Sequence, residues 1–149
     1  MSSCLERKQL GHEIPAWVAN GAIFFLTVNA LPRGAVLLSK EPGAAMIHDS
    51  ICFNRDRGIW WPHLVVVMPD HIHMLMSFPP EPGMKQAMSA WKHYMARKAG
   101  IEWQRDFFDH RLRADESRVE KAHYIRMNPV RKGLVTRAED WPYTWEWRE

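Results

Sequence analysis

The stretch IWWPHLVVVMPDHIHMLMSF, residues 59–78, contains two apolar runs separated by a proline–aspartate pair. The first run, 59–69, and the second, 71–78, each have the length and the β-branched or aromatic content of a strand. Pro69 and Asp70 are residue types that favour a tight turn, so the pattern predicts a β-hairpin. A hairpin in the middle of the chain predicts an antiparallel sheet built around it.

The segments on either side of this hairpin alternate between strand and helix patterns. Residues 21–30 are rich in β-branched and aromatic side chains, which indicates a strand. Residues 44–58 and 84–100 carry apolar side chains at helical spacing, and a glycine closes each segment. Residues 101–113 resemble a short strand with a polar edge. The resulting order, βαββαβ, is the ferredoxin-like arrangement of an antiparallel sheet with two helices on one face.

A further helix is predicted over residues 115–128, where Ser117 and Glu120 have the spacing of a capping box. Pro129 disfavours helical geometry in the residue before it and so ends the segment. The predicted fold class is therefore α+β, a ferredoxin-like βαββαβ antiparallel sheet with an additional C-terminal helix that carries Tyr124. A length of 149 residues suits one domain, and we expect a single domain over 1–149.

The composition is that of a globular protein, with 46% hydrophobic and 25% charged residues. The net charge of +3 and the pI near 9.0 permit a nucleic-acid partner without requiring one. No apolar run approaches the roughly 18 residues of a membrane span, so none is expected. Cys4 and Cys52 do not form a C-x-x-C pair, and we expect both to be reduced thiols in a cytoplasmic protein.

His71 and His73 are the unusual residues of the hairpin. Residues two apart in a strand point to the same side, so their imidazoles can converge on one metal ion while Ile72 faces the other way. The alternative is two polar residues on a solvated strand face. A metal site would need a third ligand, and the spacing leaves several candidates open: Asp70, Asp109, His110, Asn128 or an acidic residue of the third helix.

The segment HYIRMNPVRKGLV, 123–135, is the second unusual stretch. Tyr124 and Asn128 are four residues apart and so lie on one face of the predicted helix. Arg131 and Lys132 follow just beyond its end. The alternative here is structural: Tyr124 would be an amphipathic core residue and Asn128 part of a helix-stop signal.

Five segments in this order resemble the REP-associated tyrosine transposases, which belong to the wider HUH single-strand DNA transposases (His, hydrophobic residue, His). They cover most of the chain: IPAWVANGAIFFLTVNALPRG (14–34), IWWPHLVVVMPDHIHML (59–75), EWQRDFFDHRLRADE (102–116), YIRMNPVRKGLV (124–135) and AEDWPYTW (138–145). Two positions depart from the family pattern. Asp70 stands where the family more often has Asn, and Thr144–Trp145 replaces the usual Ser-Ser.

The resemblance implies an enzyme that cleaves and rejoins single-stranded DNA through a 5′-phosphotyrosine intermediate. By this resemblance Tyr124 is the nucleophile, and His71 and His73 hold a divalent metal, Mg²⁺ or Mn²⁺. Asn128 occupies the place of a third polar ligand. Because imidazole nitrogens suit Mn²⁺ better than the hard Mg²⁺, we expect Mn²⁺ to support cleavage at least as well.

The implied partner is single-stranded DNA containing a hairpin, bound by a monomer or a homodimer. Basic residues are expected to follow its backbone: Lys92, Arg105, Arg111, Arg113, Arg131 and Lys132. Trp60, Trp61 and Trp103 could stack on bases, although core packing is the expected use of most of them. Two rival functions stay open at this point, namely a non-catalytic single-stranded nucleic-acid-binding module and a small metal-dependent hydrolase with a structural Tyr124.

Overall fold

The computed structural model describes residues 14–113 and 116–147, which form a six-stranded antiparallel sheet with helices on both faces. The strands are β1 (Phe24–Leu31), β2 (Trp61–Val67), β3 (His71–Ser77), β4 (Glu102–Trp103), β5 (Phe108–Arg111) and β6 (Thr144–Glu146). The helices are α1 (Ala16–Ala19), α2 (Gly43–Asp56), α3 (Met84–Ala99), α4 (Arg118–Arg126) and α5 (Asn128–Arg131), with a 3₁₀ turn at Ala138–Asp140.

The strand order is β4-β1-β3-β2-β6, and β5 also pairs with β1. The four predicted strand regions occupy the predicted positions, with the hairpin strands β2 and β3 inside the sheet. The predicted hairpin turn is formed by Pro69 and Asp70 and closed by a hydrogen bond from the N–H of Met68 to the carbonyl of His71, 2.8 Å long. The α+β antiparallel fold class is confirmed.

Two details differ from the sequence-based expectation. The segment 101–113 forms two short strands, β4 and β5, because the chain turns between them at Asp106, whose φ is +28°. The C-terminal segment adds strand β6, which pairs with β2 through Thr144 opposite Val66. Three residues are too few to show a periodic pattern, so the sequence does not reveal that this segment pairs with the edge of β2.

Helices α2 and α3 cover one face of the sheet and enclose the larger hydrophobic cluster. Its centre is made of bulky side chains that are fully or almost fully buried: Leu26, Val28, Ile47, Ile51, Trp60, Val65, Val67, Ile72, Met74, Met76, Met88, Trp91 and Met95. The helices supply an apolar stripe, as the sequence predicted for α3. Helix α3 ends at Ala99 and is followed by Gly100, whose φ of +68° is a left-handed conformation that glycine adopts without strain.

Helix α4 packs on the opposite face of the sheet. Its buried residues Ala122 and Ile125 join a smaller cluster with Leu64, Val66, Met68 and Leu75. The helix begins after Ser117, whose hydroxyl accepts a hydrogen bond from the N–H of Glu120 at 3.1 Å, so the predicted N-cap is confirmed. It ends at Arg126, and α5 starts two residues later.

The structure bears on the state of the cysteines and on the presence of a membrane-spanning helix. Cys52 is disulfide-bonded, so the expectation of a reduced thiol is wrong at this position; Cys4 lies outside the described residues. The cytoplasmic location stays a prediction and loses this support. Within 14–113 and 116–147, no helix combines the length and the hydropathy that crossing a bilayer requires.

Candidate active site

The hairpin places the two histidines side by side on the face that α4 partly covers. In β3, His71 lies opposite Asn29 of β1 and His73 lies opposite Thr27. The two imidazole rings are 4.8 Å apart between centroids and nearly perpendicular, at 78°. Ile72 between them is fully buried in the larger cluster on the other face. The predicted convergence of the two imidazoles is present.

One nitrogen of each imidazole is already engaged by a neighbouring side chain. Nδ1 of His71 lies 2.7 Å from Oδ1 of Asp70, and Nδ1 of His73 lies 3.0 Å from the hydroxyl of Thr27. A carboxylate only accepts, so His71 carries its proton on Nδ1 and donates it to Asp70. Its Nε2 is thereby left as a lone-pair donor. This arrangement, in which a second group fixes the ring and frees the other nitrogen, is typical of metal-binding histidines.

Asp70 has a positioning role that the sequence did not indicate. Its Oδ2 accepts the backbone N–H of Gly34 at 2.7 Å and lies 3.5 Å from the guanidinium of Arg33. Partial burial opposes ionisation, but the bonds from Gly34 and His71, together with the charge of Arg33, lower the pKa of this carboxyl. Asp70 is therefore an ionised acceptor that holds His71 in place and has its oxygens occupied.

Both histidines are held in their neutral form. Burial lowers the pKa of His71, against the opposing effect of Asp70. Burial also lowers the pKa of His73, to about 3, and repulsion from Arg131, from Lys132 and from His71 in its protonated form acts in the same direction. Neutral imidazole is the form that binds metal ions, so neither side chain has to lose a proton first at neutral pH.

Asn128 is the candidate third ligand that the structure brings to the histidines. Its side-chain nitrogen lies 3.4 Å from Nε2 of His71, and the residue is buried at the start of α5. The other candidates lie elsewhere: Asp109 is opposite Leu26 and so faces the larger cluster, and His110 binds the carboxylate of Glu116 at 2.9 Å. The junction between α4 and α5 is thus docked on the hairpin.

The residues fit a divalent cation by the chemistry of their donors. His71 lies beside both His73 and Asn128, and the amide oxygen of Asn128 can complete a mixed nitrogen and oxygen set. Among the described residues, no group of three or more His, Cys, Asp or Glu side chains could hold a metal ion. Any site here would therefore depend on the amide of Asn128 and leave further positions open.

Tyr124 is exposed on α4, one helical turn before Asn128, with 56% of its surface accessible. The guanidinium of Arg131 lies over its ring at 4.0 Å from the centroid and donates to the Tyr124 carbonyl at 2.6 Å. The structural alternative of a tyrosine packed in the core is therefore wrong. Arg131 restrains the ring and places a positive charge beside it.

Of the six predicted DNA-binding residues, Arg131 and Lys132 lie close enough to the histidines for their charges to lower the pKa of His73. Two others lie beside the loop between β4 and β5. Lys92 on α3 donates to the carbonyls of Gln104 and Asp106 at 3.1 and 3.2 Å, and Arg105 is exposed within that loop.

Arg111 and Arg113 lie at and just beyond the end of β5. Arg111 is exposed at the end of β5, opposite Phe24, whose side chain packs against the larger cluster. The side chain of Arg111 therefore lies on the face away from His73. Arg113 is exposed and forms an ion pair with Glu116 at 3.4 Å. The structure thus unites two of the six basic residues with the histidine pair, and DNA binding by all six stays a prediction.

Thr27 is the site residue that sequence reasoning missed. It is one residue of an apolar strand and matches no motif, and its contact with His73 spans 46 positions. Only the register between β1 and β3 brings the two together. Of the tryptophans considered for base stacking, Trp60 and Trp61 are buried, which confirms core packing as their use.

The chain is similar in sequence to two transposases. A REP-associated tyrosine transposase of Escherichia coli K12 is 29% identical over 141 residues, which cover 89% of this chain and 81% of that protein. A Haemophilus influenzae protein assigned as a REP-associated tyrosine transposase is 31% identical over 98 residues, covering 54% of this chain and 55% of the relative. No protein-family model matches the chain.

Solved structures give the same result. A REP-associated tyrosine transposase bound to a REP hairpin matches with a TM-score of 0.71 and 28% identity, over 83% of this chain and 76% of that one. A Deinococcus radiodurans protein assigned as a transposase shares the fold, with a TM-score of 0.52 over 80% of this chain and 95% of that one, at 16% identity.

The fold and these relatives define a protein of the transposase class. Within that class, the chain is similar to the REP-associated tyrosine transposases in sequence and in fold.

Proposed function

We propose that this protein cleaves and rejoins single-stranded DNA through a covalent bond between Tyr124 and a 5′-phosphate. One observation carries the proposal: the amide of Asn128, one turn after Tyr124, lies 3.4 Å from Nε2 of His71. The start of α5, which directly follows the helix that bears the exposed phenol, is therefore in contact with the strand that bears two neutral imidazoles. This is the pairing of nucleophile and phosphate-binding centre that phosphodiester cleavage requires.

His71, His73 and Asn128 would hold a divalent cation, Mn²⁺ or Mg²⁺. Such a cation supplies positive charge for the non-bridging oxygens of the scissile phosphate and orients that group. Asp70 and Thr27 contact Nδ1 of His71 and His73, which restrains both rings and leaves Nε2 of each as the candidate ligand atom. The guanidinium of Arg131 adds a second positive charge beside the phenol.

In the reaction, the phenolic oxygen of Tyr124 attacks phosphorus and loses its proton. The bond from phosphorus to the 3′ oxygen breaks, and that oxygen leaves as a 3′-hydroxyl after gaining a proton. The 5′-phosphate stays on the tyrosine, so the energy of the phosphodiester is retained. A 3′-hydroxyl can then attack the phosphotyrosine, which releases Tyr124 and rejoins two strands without an external energy source.

The substrate class follows from the family. The relative solved with a REP hairpin indicates that a hairpin-containing single strand is the first substrate to test. Arg131 and Lys132 are the residues best placed to bind its backbone near the scissile phosphate, and each such contact contributes through release of counterions.

The test uses a 3′-labelled single-stranded oligonucleotide with a REP-type hairpin, because the 3′ fragment is the one that stays on the protein. We expect the wild type to give a labelled protein band on a denaturing gel with Mn²⁺, at least as strongly as with Mg²⁺, and none with EDTA. Tyr124→Phe keeps the ring under Arg131 but removes the nucleophile, so it should bind the DNA and form no covalent product. Tyr94→Phe is the matched control, because Tyr94 is also exposed, at 42%, but lies on α3 on the other side of the sheet.

Each alternative gives a different result. Full cleavage by Tyr124→Phe without a covalent band would favour the metal-dependent hydrolase. Binding without cleavage by the wild type, unaffected by changes at His71 and His73, would favour the non-catalytic binding module. Cleavage supported by Mg²⁺ but not by Mn²⁺ would contradict the metal preference.

A further inference from the structure

Phe108 on β5 is an exposed aromatic residue in the same row of the sheet as the histidine pair. Thr27 of β1 lies opposite His73 of β3 on one side and opposite Phe108 of β5 on the other. Directly opposed residues of antiparallel strands share a face, so Phe108, Thr27 and His73 project to the same side. Two strand spacings separate Phe108 from His73, which is about 10 Å.

The ring of Phe108 packs against one neighbouring aromatic ring and is otherwise partly exposed to solvent. Its contact is with Phe25, 5.9 Å away between centroids and at 75°, an edge-to-face packing. Phe25 in turn lies 5.5 Å from the imidazole of His73. Nevertheless, 56% of Phe108 is exposed, so more than half of the surface of this large apolar residue is accessible to a ligand.

Positive charge borders this aromatic surface. The ammonium of Lys121 on α4 lies 5.6 Å from the ring centroid of Phe25. Lys121 is three residues before Tyr124 and so lies on a neighbouring part of the same helix face. An aromatic ring with a cation beside it, continuous with a phosphate-cleaving site, matches what single-stranded nucleic acids bind: a base stacks on the ring and a phosphate meets the cation.

We propose that Phe108 is a stacking subsite for one unpaired base of the DNA strand close to the scissile phosphate, with Lys121 binding an adjacent phosphate. This proposal rests on the function proposed above. We expect a single-stranded nucleic acid to bind here for two reasons. Phe108 lies in the same row of the sheet as His73, and Lys121 places a positive charge beside the aromatic rings. Stacking alone would accept any base, since every base has an aromatic face.

The experiment measures binding of a REP-type hairpin oligonucleotide with a single-stranded flank, in which each flank position in turn carries 2-aminopurine. We expect stacking on Phe108 to change the fluorescence at one position, and Phe108→Ala to remove that change and weaken binding by about 5- to 150-fold. Phe108→Trp should restore both. The slope of log Kd against log salt should stay the same in Phe108→Ala, because no charge is lost, whereas Lys121→Gln should lower it by about 0.7.

Phe53→Ala is the matched control, because Phe53 is as exposed, at 59%, but lies on α2 beyond the other face of the sheet. Unchanged affinity of Phe108→Ala, or equal losses in Phe108→Ala and Phe53→Ala, would overturn the stacking proposal. So would a change of oligomeric state in Phe108→Ala with normal DNA binding. If the wild type binds the oligonucleotide but Tyr124 forms no covalent product, the proposed chemistry fails while the stacking result stands by itself.

Discussion

The two faces of the sheet use the same strands for different purposes. In β3, Ile72, Met74 and Met76 enter the cluster under α2 and α3, while His71 and His73 project to the side of α4. The first face buries large apolar side chains and has no polar requirement beyond a few hydrogen bonds. The second buries fewer apolar groups and carries two neutral imidazoles, a buried amide and an exposed phenol. Stability and chemistry are therefore separable by substitution.

The largest effect on stability is expected at Trp91, on the helix-covered face. The indole is 2% exposed, lies 5.9 Å from the ring of Trp60 and 5.5 Å from that of Trp103, and donates to the hydroxyl of Ser50 at 2.8 Å. Trp91→Ala should lower the free energy of unfolding by about 3–5 kcal/mol, measured by urea denaturation.

Phe53→Ala on the same layer provides the contrast, because the exposed ring loses little on truncation. Phe53→Ala should lower the free energy of unfolding by no more than about 0.5 kcal/mol. Comparable losses in the two variants would show that the helix-covered face does not carry the stability of the fold.

Much of this face could be predicted from the sequence, because its signal is local. The run of residues 59–78 specified the hairpin, and the stripe of Met88, Trp91 and Met95 specified how α3 packs. The family resemblance adds the predicted site residues His71, His73 and Tyr124, which follow from the sequence motifs alone. Periodicity and motif spacing are properties of residues that are close in the sequence, so they can be identified without a structure.

The parts that could not be predicted depend on pairing between distant segments. Thr27 reaches His73 only through the register of β1 and β3, and Phe108 faces the same side only because β5 starts after the turn at Asp106. Strand β6 forms because β2 offers it a free edge. A one-residue slip in any of these registers would move the side chains to the other face, and the sequence contains no local signal of the register.

On the other face, Asp70→Ala should disturb the site and leave the core intact. It removes the acceptor of the His71 Nδ1–H, so the imidazole is free to turn and to change tautomer. We expect Mn²⁺ affinity, measured by isothermal titration calorimetry, and formation of the covalent product to fall by about 10- to 100-fold.

Asp70→Asn is the conservative variant, because its amide oxygen can accept the same proton, and it should recover most of the lost affinity. Asp109→Ala, an exposed carboxylate on the far side of the sheet, should have no effect on either measurement. Equal activity in Asp70→Ala and the wild type would show that His71 is oriented by other contacts.

A smaller effect is expected where α4 begins. The hydroxyl of Ser117 satisfies the N–H of Glu120, and Ser117→Ala leaves that donor without its intramolecular acceptor. The free energy of unfolding should fall by about 1 kcal/mol. Ser117→Asp, which caps equally well, should show no loss. If Ser117→Ala matches the wild type in chemical denaturation, solvent replaces the cap and α4 is held by its packing alone.

The smallest effect at neutral pH is expected at His48, a buried histidine on the stable face that contacts the rings of Trp145 and Trp147. Burial lowers its pKa, and Asp49, 3.7 Å away, only partly opposes this. Below the unfolded pKa of 6.5, the unfolded chain binds a proton at this histidine and the folded chain does not, so the free energy of unfolding falls as the pH drops below that point.

His48→Gln does not titrate and should lose less stability than the wild type between pH 7 and pH 5, measured by denaturation in EDTA. His71 and His73 carry the same sign of shift, so part of the acid sensitivity should remain in the variant. If the free energy of unfolding depends on pH equally in His48→Gln and in the wild type, His48 does not contribute to the acid sensitivity.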